Sequence, residues 1–260
     1  MKITVLTENT SPRPELLAEH GLSLYIELGD THILFDAGQT AAFAANAERL
    51  GIDLNRVNLS ILSHGHYDHG GGLSHFLSVN DHAPVYLSRH AFGSHWNGSA
   101  KYIGLDPALA GSSRLIFTDD ETRLSENMIL YSCNDRPRPF AADPFGLNRL
   151  EGQLLLPEDF RHEQYLLIRE GGRRICVSGC SHKGIQNILA WFRPDVLIGG
   201  LHLSKVDPAD PRLAAVARQL AENNTLCYTG HCTGQAQAAA LRRILGSRLQ
   251  TLTTGQVITL

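Results

Sequence analysis

Apolar and polar positions recur with two periods along this chain, and the switches between them mark its elements. Leu22, Leu24, Ile26 and Leu28 alternate with Ser23, Tyr25 and Glu27, the two-residue period of a strand with one buried face. Gly29-Asp30 then turns the chain into residues 32–35, which predicts a hairpin. Residues 2–6 read as a short apolar strand. Residues 39–50 are Ala-rich, with Phe43, Ala47 and Leu50 at helical spacing and Gly51 behind them as a C-cap. Residues 58–62 form a buried strand that leads straight into a histidine-rich run. After glycines 70–72, Leu73, Phe76 and Leu77 mark a short helix.

The second half repeats this order without repeating the residues. Residues 164–169 and 174–178 predict another hairpin, turned by Gly171-Gly172. Ile185, Ile188, Leu189 and Phe192 share one helical face, and Leu213, Val216, Ala217 and Leu220 share another. Strands are predicted at 196–198, 225–229 and 256–260, with a helix at 234–245. Between the halves, residues 90–160 lose this regularity. Short strands are expected at 114–117 and 128–131, and the rest reads as long loops over the site. No linker or low-complexity segment divides the chain. The expectation is a single α/β domain spanning residues 1–260, two sheets packed together with helices outside.

Composition narrows the function classes. Of 260 residues, 43% are hydrophobic and 19% charged, enough apolar mass for a sizeable core. A net charge of −3 provides no basic field for holding nucleic acid. Glu8 and Asn9 cut short the first apolar stretch, and no run approaches the length of a membrane span, so a cytoplasmic protein without a membrane partner is expected. The five cysteines, 133, 176, 180, 227 and 232, form no CxxC pair and read as thiols or ligands. Thirteen histidines are the unusual feature, because several stand beside Gly, Asp or Cys at the ends of apolar runs.

The run His64-Gly65-His66-Tyr67-Asp68-His69 places three imidazoles and a carboxylate in six positions at a strand end. Imidazole and carboxylate suit zinc first, with manganese or iron as alternatives. His64 and His66 can serve one ion, and Asp68 and His69 a second. Gly70-Gly71-Gly72 lets the backbone bend around a ligand.

This run, His-x-His-x-Asp-His after an apolar strand, resembles the signature of the metallo-β-lactamase superfamily. The resemblance implies a four-layer αββα sandwich with metals at one edge of the two sheets. It also implies roles for residues along the chain. Asp36, in Phe35-Asp36-Ala37-Gly38, would orient a metal-bound histidine. His162, just before the second hairpin, resembles the third ligand of the first metal. Cys180, in Ser178-Gly179-Cys180, takes the place of the usual bridging Asp, and a thiolate binds zinc but cannot bridge as a carboxylate does. His231, in Thr229-Gly230-His231-Cys232-Thr233-Gly234, resembles the final ligand. His182 and His202 are candidates for substrate contact or ligation. Ser-Gly-Cys-Ser-His-Lys-Gly-Ile from 178, Gly-Gly-Leu-His-Leu from 199 and Gly-His-Cys-Thr-Gly from 230 resemble a branch named after a dihydropterin ribofuranosyl-aminobenzene phosphate synthase. His75, His82, His90 and His95 have no such context and read as surface or loop residues, with His90 and His95 able to line the cleft.

The expected activity is hydrolysis by a metal-bound hydroxide, formed because a bound ion lowers the pKa of water from about 15.7 towards 7. Asp68 would bind the second ion or hold the nucleophilic water, and His182 or His202 would stabilise developing charge. Helices starting behind Cys180 and His231 favour a small anionic substrate, a phosphate ester or phosphodiester. The competing readings are a pterin-related synthase or transferase with an aromatic pocket, an iron-holding redox protein, and a non-catalytic metal-binding protein. His66 opposes the iron reading, because the superfamily's di-iron members typically carry Glu there.

Overall fold

The glycine turns predicted from the sequence close the hairpins on which both large sheets are built. A computed structural model describes residues 1–260. Two compact units emerge: residues Met1–Asp119, Gly146–Gln164 and Thr253–Leu260 form the first, and Asp120–Phe145 with Tyr165–Leu252 form the second.

The first unit holds a seven-stranded mixed sheet in the order Val257–Thr259, Lys2–Thr7, Ser23–Leu28, Thr31–Phe35, Leu59–Ile61, Val85–Ser88 and Leu115–Thr118. Its first three neighbour pairs are antiparallel and its last three parallel. Gly29 takes φ +56° at the hairpin turn, a conformation glycine adopts without a Cβ clash. The helix Ala42–Arg49 places Phe43 and Ala47 in a cluster with Leu6, Tyr25 and Leu34 of the sheet. The strand Ser23–Leu28 was expected to bury one face, yet Ser23, Leu24, Tyr25 and Ile26 are all buried. Tyr25 is the reason the alternation misleads: its ring joins the apolar cluster while its hydroxyl lies 2.8 Å from Nδ1 of His32.

A four-stranded antiparallel sheet, Leu154–Pro157, Leu147–Glu151, His95–Asn97 and Lys101–Tyr102, also belongs to this unit. It lies within the segment read as loops. Its strands are two to five residues long and mix leucine with asparagine, arginine and glutamate, so no period survives for long enough to be read. The strands expected near 114–117 and 128–131 are present as Leu115–Thr118 and Met128–Tyr131.

The second unit repeats the mixed arrangement: Leu249–Thr251, Leu226–Thr229, Val196–Ile198, Arg173–Val177, Tyr165–Glu170, Met128–Tyr131 and Glu121–Arg123. Three pairs are parallel and three antiparallel. Gly171 and Gly172 take φ +57° and +78°, the paired positive values of a tight two-residue hairpin turn. The helices Ile185–Phe192, Pro211–Glu222 and Gln235–Leu245 bury Ile188, Leu189, Val216, Leu220 and Leu241 in one cluster with Leu197 and Cys227. Both units are thus α/β, mixed sheets flanked by helices. No helix is long and apolar enough to cross a membrane.

Candidate metal centres

Of the residues singled out in the sequence, Asp36, His64, His66, Asp68, His69 and His162 fall in the first unit, and Cys180, His182, His202 and His231 in the second.

In the first unit the strand Leu59–Ile61 is followed by Leu62 and Ser63, and the chain bends through His64-Gly65 into the short helix Tyr67–Gly70. Gly65 is required there, because a Cβ would stand 2.1 Å from the carbonyl oxygen of Ala91. At Gly71 and Gly72 a Cβ would stand 2.2 Å from the carbonyl oxygens of Gln39 and Ala37 respectively. These glycines therefore serve close packing against the turn after Asp36, rather than bending around a ligand.

Asp36 is fully buried at φ +59°. Its carboxylate accepts from the Ser63 amide at 2.7 Å, the Ser63 hydroxyl at 2.7 Å and Nδ1 of His69 at 2.7 Å. Since the Ser63 hydroxyl proton goes to Asp36, its oxygen is the acceptor for Nδ1–H of His64 at 2.8 Å. One buried carboxylate thus fixes two rings, His69 directly and His64 through Ser63. Both are held in the tautomer that presents Nε2 as the ligand atom. The bond to His69 is the contact through which the resemblance would have Asp36 orient a metal-bound histidine; Ser63 was not singled out, and its place beside His64 was the available signal. The rings of His64 and His69 are centred 4.2 Å apart. Asp68 Oδ2 lies 4.0 Å from Nε2 of His69 and 3.3 Å from Nε2 of His20. Donors around a tetrahedral ion are separated by about 3.4 Å, given bonds of about 2.1 Å, so Asp68 and His69 are near the spacing that one ion requires.

His162 is buried, and its Nδ1 accepts the Gly65 amide at 2.9 Å. That bond places the neutral ring's proton on Nε2, so an ion bound there must displace the proton or turn the ring. His66 and His162 are centred 5.0 Å apart. Their companion is His95: one ring nitrogen from each of His66, His95 and His162 lies within 4.8 Å of the others. The surface or loop reading of His95 is thereby overturned, for its ring is buried and its Nδ1 lies 2.6 Å from Oε2 of Glu158. His82 and His90 are exposed, as expected.

In the second unit Cys180, His231 and Cys232 are buried and bring their ligand atoms within 4.8 Å of one another. Local backbone makes this possible. A Cβ on Gly199 would stand 1.7 Å from the Ser178 carbonyl oxygen, and one on Gly200 would stand 2.3 Å from Sγ of Cys232. Ser181, at φ +63°, donates its hydroxyl to the Gly200 carbonyl at 2.7 Å, which ties the two turns together. Thr233 Oγ1 accepts the Leu201 amide at 2.9 Å. Cys232 Sγ donates to the Cys180 carbonyl at 3.4 Å. Cys232 was not proposed as a ligand from the sequence; its adjacency to His231 was the available signal.

The five cysteines behave differently. Burial pushes the thiols of Cys133 and Cys227 up to about 12. Burial acts the same way on Cys232, but the neighbouring Cys180 and His202 side chains and the charges of His231 and His202 outweigh it and hold that thiol well below its ordinary range. His182 and His202 are centred 4.2 Å apart, and Phe145 packs 5.4 Å from His202. Neither ring nitrogen of His202 makes a protein hydrogen bond. Both histidines border a cavity of about 80 Å³, together with Phe140, Phe145 and Leu203. His202 and His231 take φ +52° and +48°, left-handed values that are costly away from glycine and recur at functional sites.

Comparison with known proteins places these features. An uncharacterized protein of Methanocaldococcus jannaschii is 28% identical over 242 residues, covering 89% of this chain and 90% of that protein. A second M. jannaschii protein, named 7,8-dihydropterin-6-methyl-4-(beta-D-ribofuranosyl)-aminobenzene-5'-phosphate synthase, is 28% identical over 251 residues, covering 84% of this chain and 82% of that one. The crystal structure of Tm1679, described as a metal-dependent hydrolase of the beta-lactamase superfamily, superimposes with a TM-score of 0.86 at 27% identity, over 100% of this chain and 99% of that one. The family model of the metallo-beta-lactamase superfamily matches residues 17–178. With the His-x-His-x-Asp-His run, its orienting Asp36 and two mixed sheets flanked by helices, the chain belongs to the metallo-beta-lactamase superfamily.

Proposed function

We propose that this chain is a metal-dependent hydrolase acting on a small anionic substrate, with phosphate esters and phosphodiesters as the first candidates. The observation that carries the reading is the buried hydrogen-bonded series from His64 through Ser63 to Asp36 and back to His69. A carboxylate that orients two imidazoles by their Nδ1 protons is the arrangement that prepares histidines for an ion. The donor set fits zinc first, with manganese or iron next. The proposed ligands are His64, His66, Asp68, His69, His162, Cys180 and His231, to which the geometry of the second unit adds Cys232.

When bound, the ion supplies Lewis-acid activation of water. Asp68 would hold a second ion or, with one ion only, would hold the attacking water and accept its proton. His182 and His202 donate hydrogen bonds to the charge that develops on the substrate. The helices Ile185–Phe192 and Gln235–Leu245, which begin behind the Cys180 and His231 motifs, favour an anion there.

One observation favours a second reading, synthesis or transfer on a phosphorylated ribofuranosyl-aminobenzene type of substrate. Phe140 and Phe145 border the same cavity as His182 and His202, a setting suited to a flat aromatic ring, and one relative carries the synthase name. The test is an activity screen of zinc-, manganese- and iron-loaded protein on p-nitrophenyl phosphate, bis-p-nitrophenyl phosphate and simple lactones. Turnover of a phosphoester that is lost with chelator and restored by metal supports the hydrolase. Failure on all of these, with product formed from a dihydropterin and a phosphorylated ribofuranosyl-aminobenzene, replaces it with the synthase. Stable metal binding without turnover in either assay leaves a metal-binding protein.

A further inference from the structure

We infer that His95 is a metal ligand, completing with His66 and His162 a tri-histidine site oriented by the carboxylate of Glu158. The inference rests on the metal-binding half of the proposed function and adds to it a ligand outside the six-residue run and the motifs that resemble the family's.

His95 opens the short strand His95–Asn97, where its backbone carbonyl accepts the Ile103 amide at 2.8 Å. Its ring lies over Gly93, where a Cβ would stand 2.9 Å from both Cε1 and Nε2. The side chain is 4% exposed and that of Glu158 1%. The Glu158 carboxylate is used on both sides: Oε1 accepts the amides of Asp159 at 3.1 Å and Phe160 at 3.2 Å, and Oε2 accepts Nδ1–H of His95 at 2.6 Å. With Nδ1 committed as a donor, the second nitrogen carries the lone pair. That nitrogen is buried and makes no hydrogen bond in the protein.

A bare structural ion pair does not account for this. If the ring were protonated, Nε2–H would be a buried donor with no acceptor. If neutral, it is a buried acceptor with no donor, and either state costs about 1–3 kcal/mol. The ring instead belongs to the three-imidazole group, in which one nitrogen from each ring lies within 4.8 Å of the others, with the His95 ring centred 3.9 Å from His162 and 5.6 Å from His66. Three imidazoles in one buried place repel one another when protonated and attract a cation when neutral. A carboxylate on the far nitrogen of a ligating histidine is the usual outer partner of such a site. A cavity of about 320 Å³ is bordered by His95, His162 and Glu158 with Arg89, Arg149 and Arg161. A tri-histidine set with an open fourth position suits zinc, and cobalt as its spectroscopic substitute, with His162 giving up its Nε2 proton or turning its ring as the ion binds.

The test is metal binding by the full-length chain, read without reference to turnover. Metal-free protein is titrated with cobalt and followed by its visible absorption. Zinc affinity is measured by competition with a chromophoric chelator, and bound metal is counted by elemental analysis. His95→Ala and the size-conserving His95→Gln are expected to lose one equivalent of metal or to bind it at least tenfold more weakly, with an altered cobalt spectrum. Glu158→Gln, which keeps the shape, is expected to weaken binding by about 10- to 100-fold. In His95→Gly, added imidazole is expected to restore the wild-type cobalt spectrum. If His95→Ala does not fold, as judged by circular dichroism, the Gln variants decide the question. Wild-type metal content, affinity and spectrum in folded His95 variants overturn the inference and leave the hydrolase reading standing. A wild-type protein that binds no metal overturns both.

Discussion

The two units solve the same problem, holding several side chains that could ligate a metal in a buried place, by different means. In the first, buried carboxylates do the positioning. Asp36 sets His69 and, through Ser63, His64, while Glu158 sets His95. In the second, the group of Cys180, His231 and Cys232 contains no carboxylate, and the backbone does the positioning instead. Gly199 and Gly200 permit approaches that any Cβ would block, and His202 and His231 are held at positive φ. The contrast follows from ligand chemistry. Imidazole has two nitrogens, and the one that does not bind metal needs a partner that fixes the tautomer. A thiolate has no second site to anchor, so only the placement of its Cα and Cβ directs it. The first unit is therefore tuned by side-chain substitution and the second by its glycines.

The largest effect that bears on this contrast is at His66. His66→Ala is expected to remove metal from the first unit and reduce turnover to the level of metal-free protein. A folded variant with wild-type metal and activity would sink the assignment.

Next comes Asp36→Asn, which disturbs three buried hydrogen bonds at once. Zinc affinity should fall about 10- to 100-fold, with a clear loss of thermal stability. Ser63→Ala removes the hydroxyl's bonds to Asp36 and His64 but keeps the Ser63 amide and His69 bonds to Asp36, and should cost less on both measures, about 1–2 kcal/mol in stability. A folded Ser63→Ala protein with wild-type zinc affinity would show that Asp36 does not act through Ser63.

Cys232→Ser separates the units spectroscopically. In the cobalt-loaded protein the near-ultraviolet thiolate charge-transfer band should weaken, while the visible bands from nitrogen ligands in the first unit persist. An unchanged charge-transfer band would remove Cys232 from the ligand set.

The smallest effect is alkaline. The folded-state values of Cys133 and Cys227, about 12, lie above the ordinary thiol value of 9.0. Unfolded chains release these protons first, so the stability that they contribute is complete below pH 9 and is lost as pH rises towards 12. Thermal melts across that range should show a slope that Cys227→Ala makes shallower. An identical slope in the variant would contradict the expectation.

Much of the fold is legible in the sequence. Gly29-Asp30 and Gly171-Gly172 stand at the predicted hairpin turns, and the strand Val196–Ile198 and the helical faces around Ile188 and Val216 lie where their periods place them. These signals are local: each needs only neighbours two to four residues apart. The four-stranded sheet escaped because its strands are too short to show a period. In the candidate centres, the run from His64 to His69 and its orienting Asp36 could be read, whereas Ser63, His95, Glu158 and Cys232 could not be given roles. A lone serine, histidine or glutamate carries no spacing that sets it apart from a surface residue.

The sequence by itself determined that this chain alternates strands and helices in two successive halves, and that a strand end delivers three imidazoles and a carboxylate to one place. Only the tertiary structure decided how those imidazoles are grouped. His95 meets Glu158 across 63 positions, and Gly65 meets His162 across 97. Pairings at such separations are fixed by the closure of long loops and the burial of polar groups that must find partners, and neither leaves a periodic trace in the order of residues.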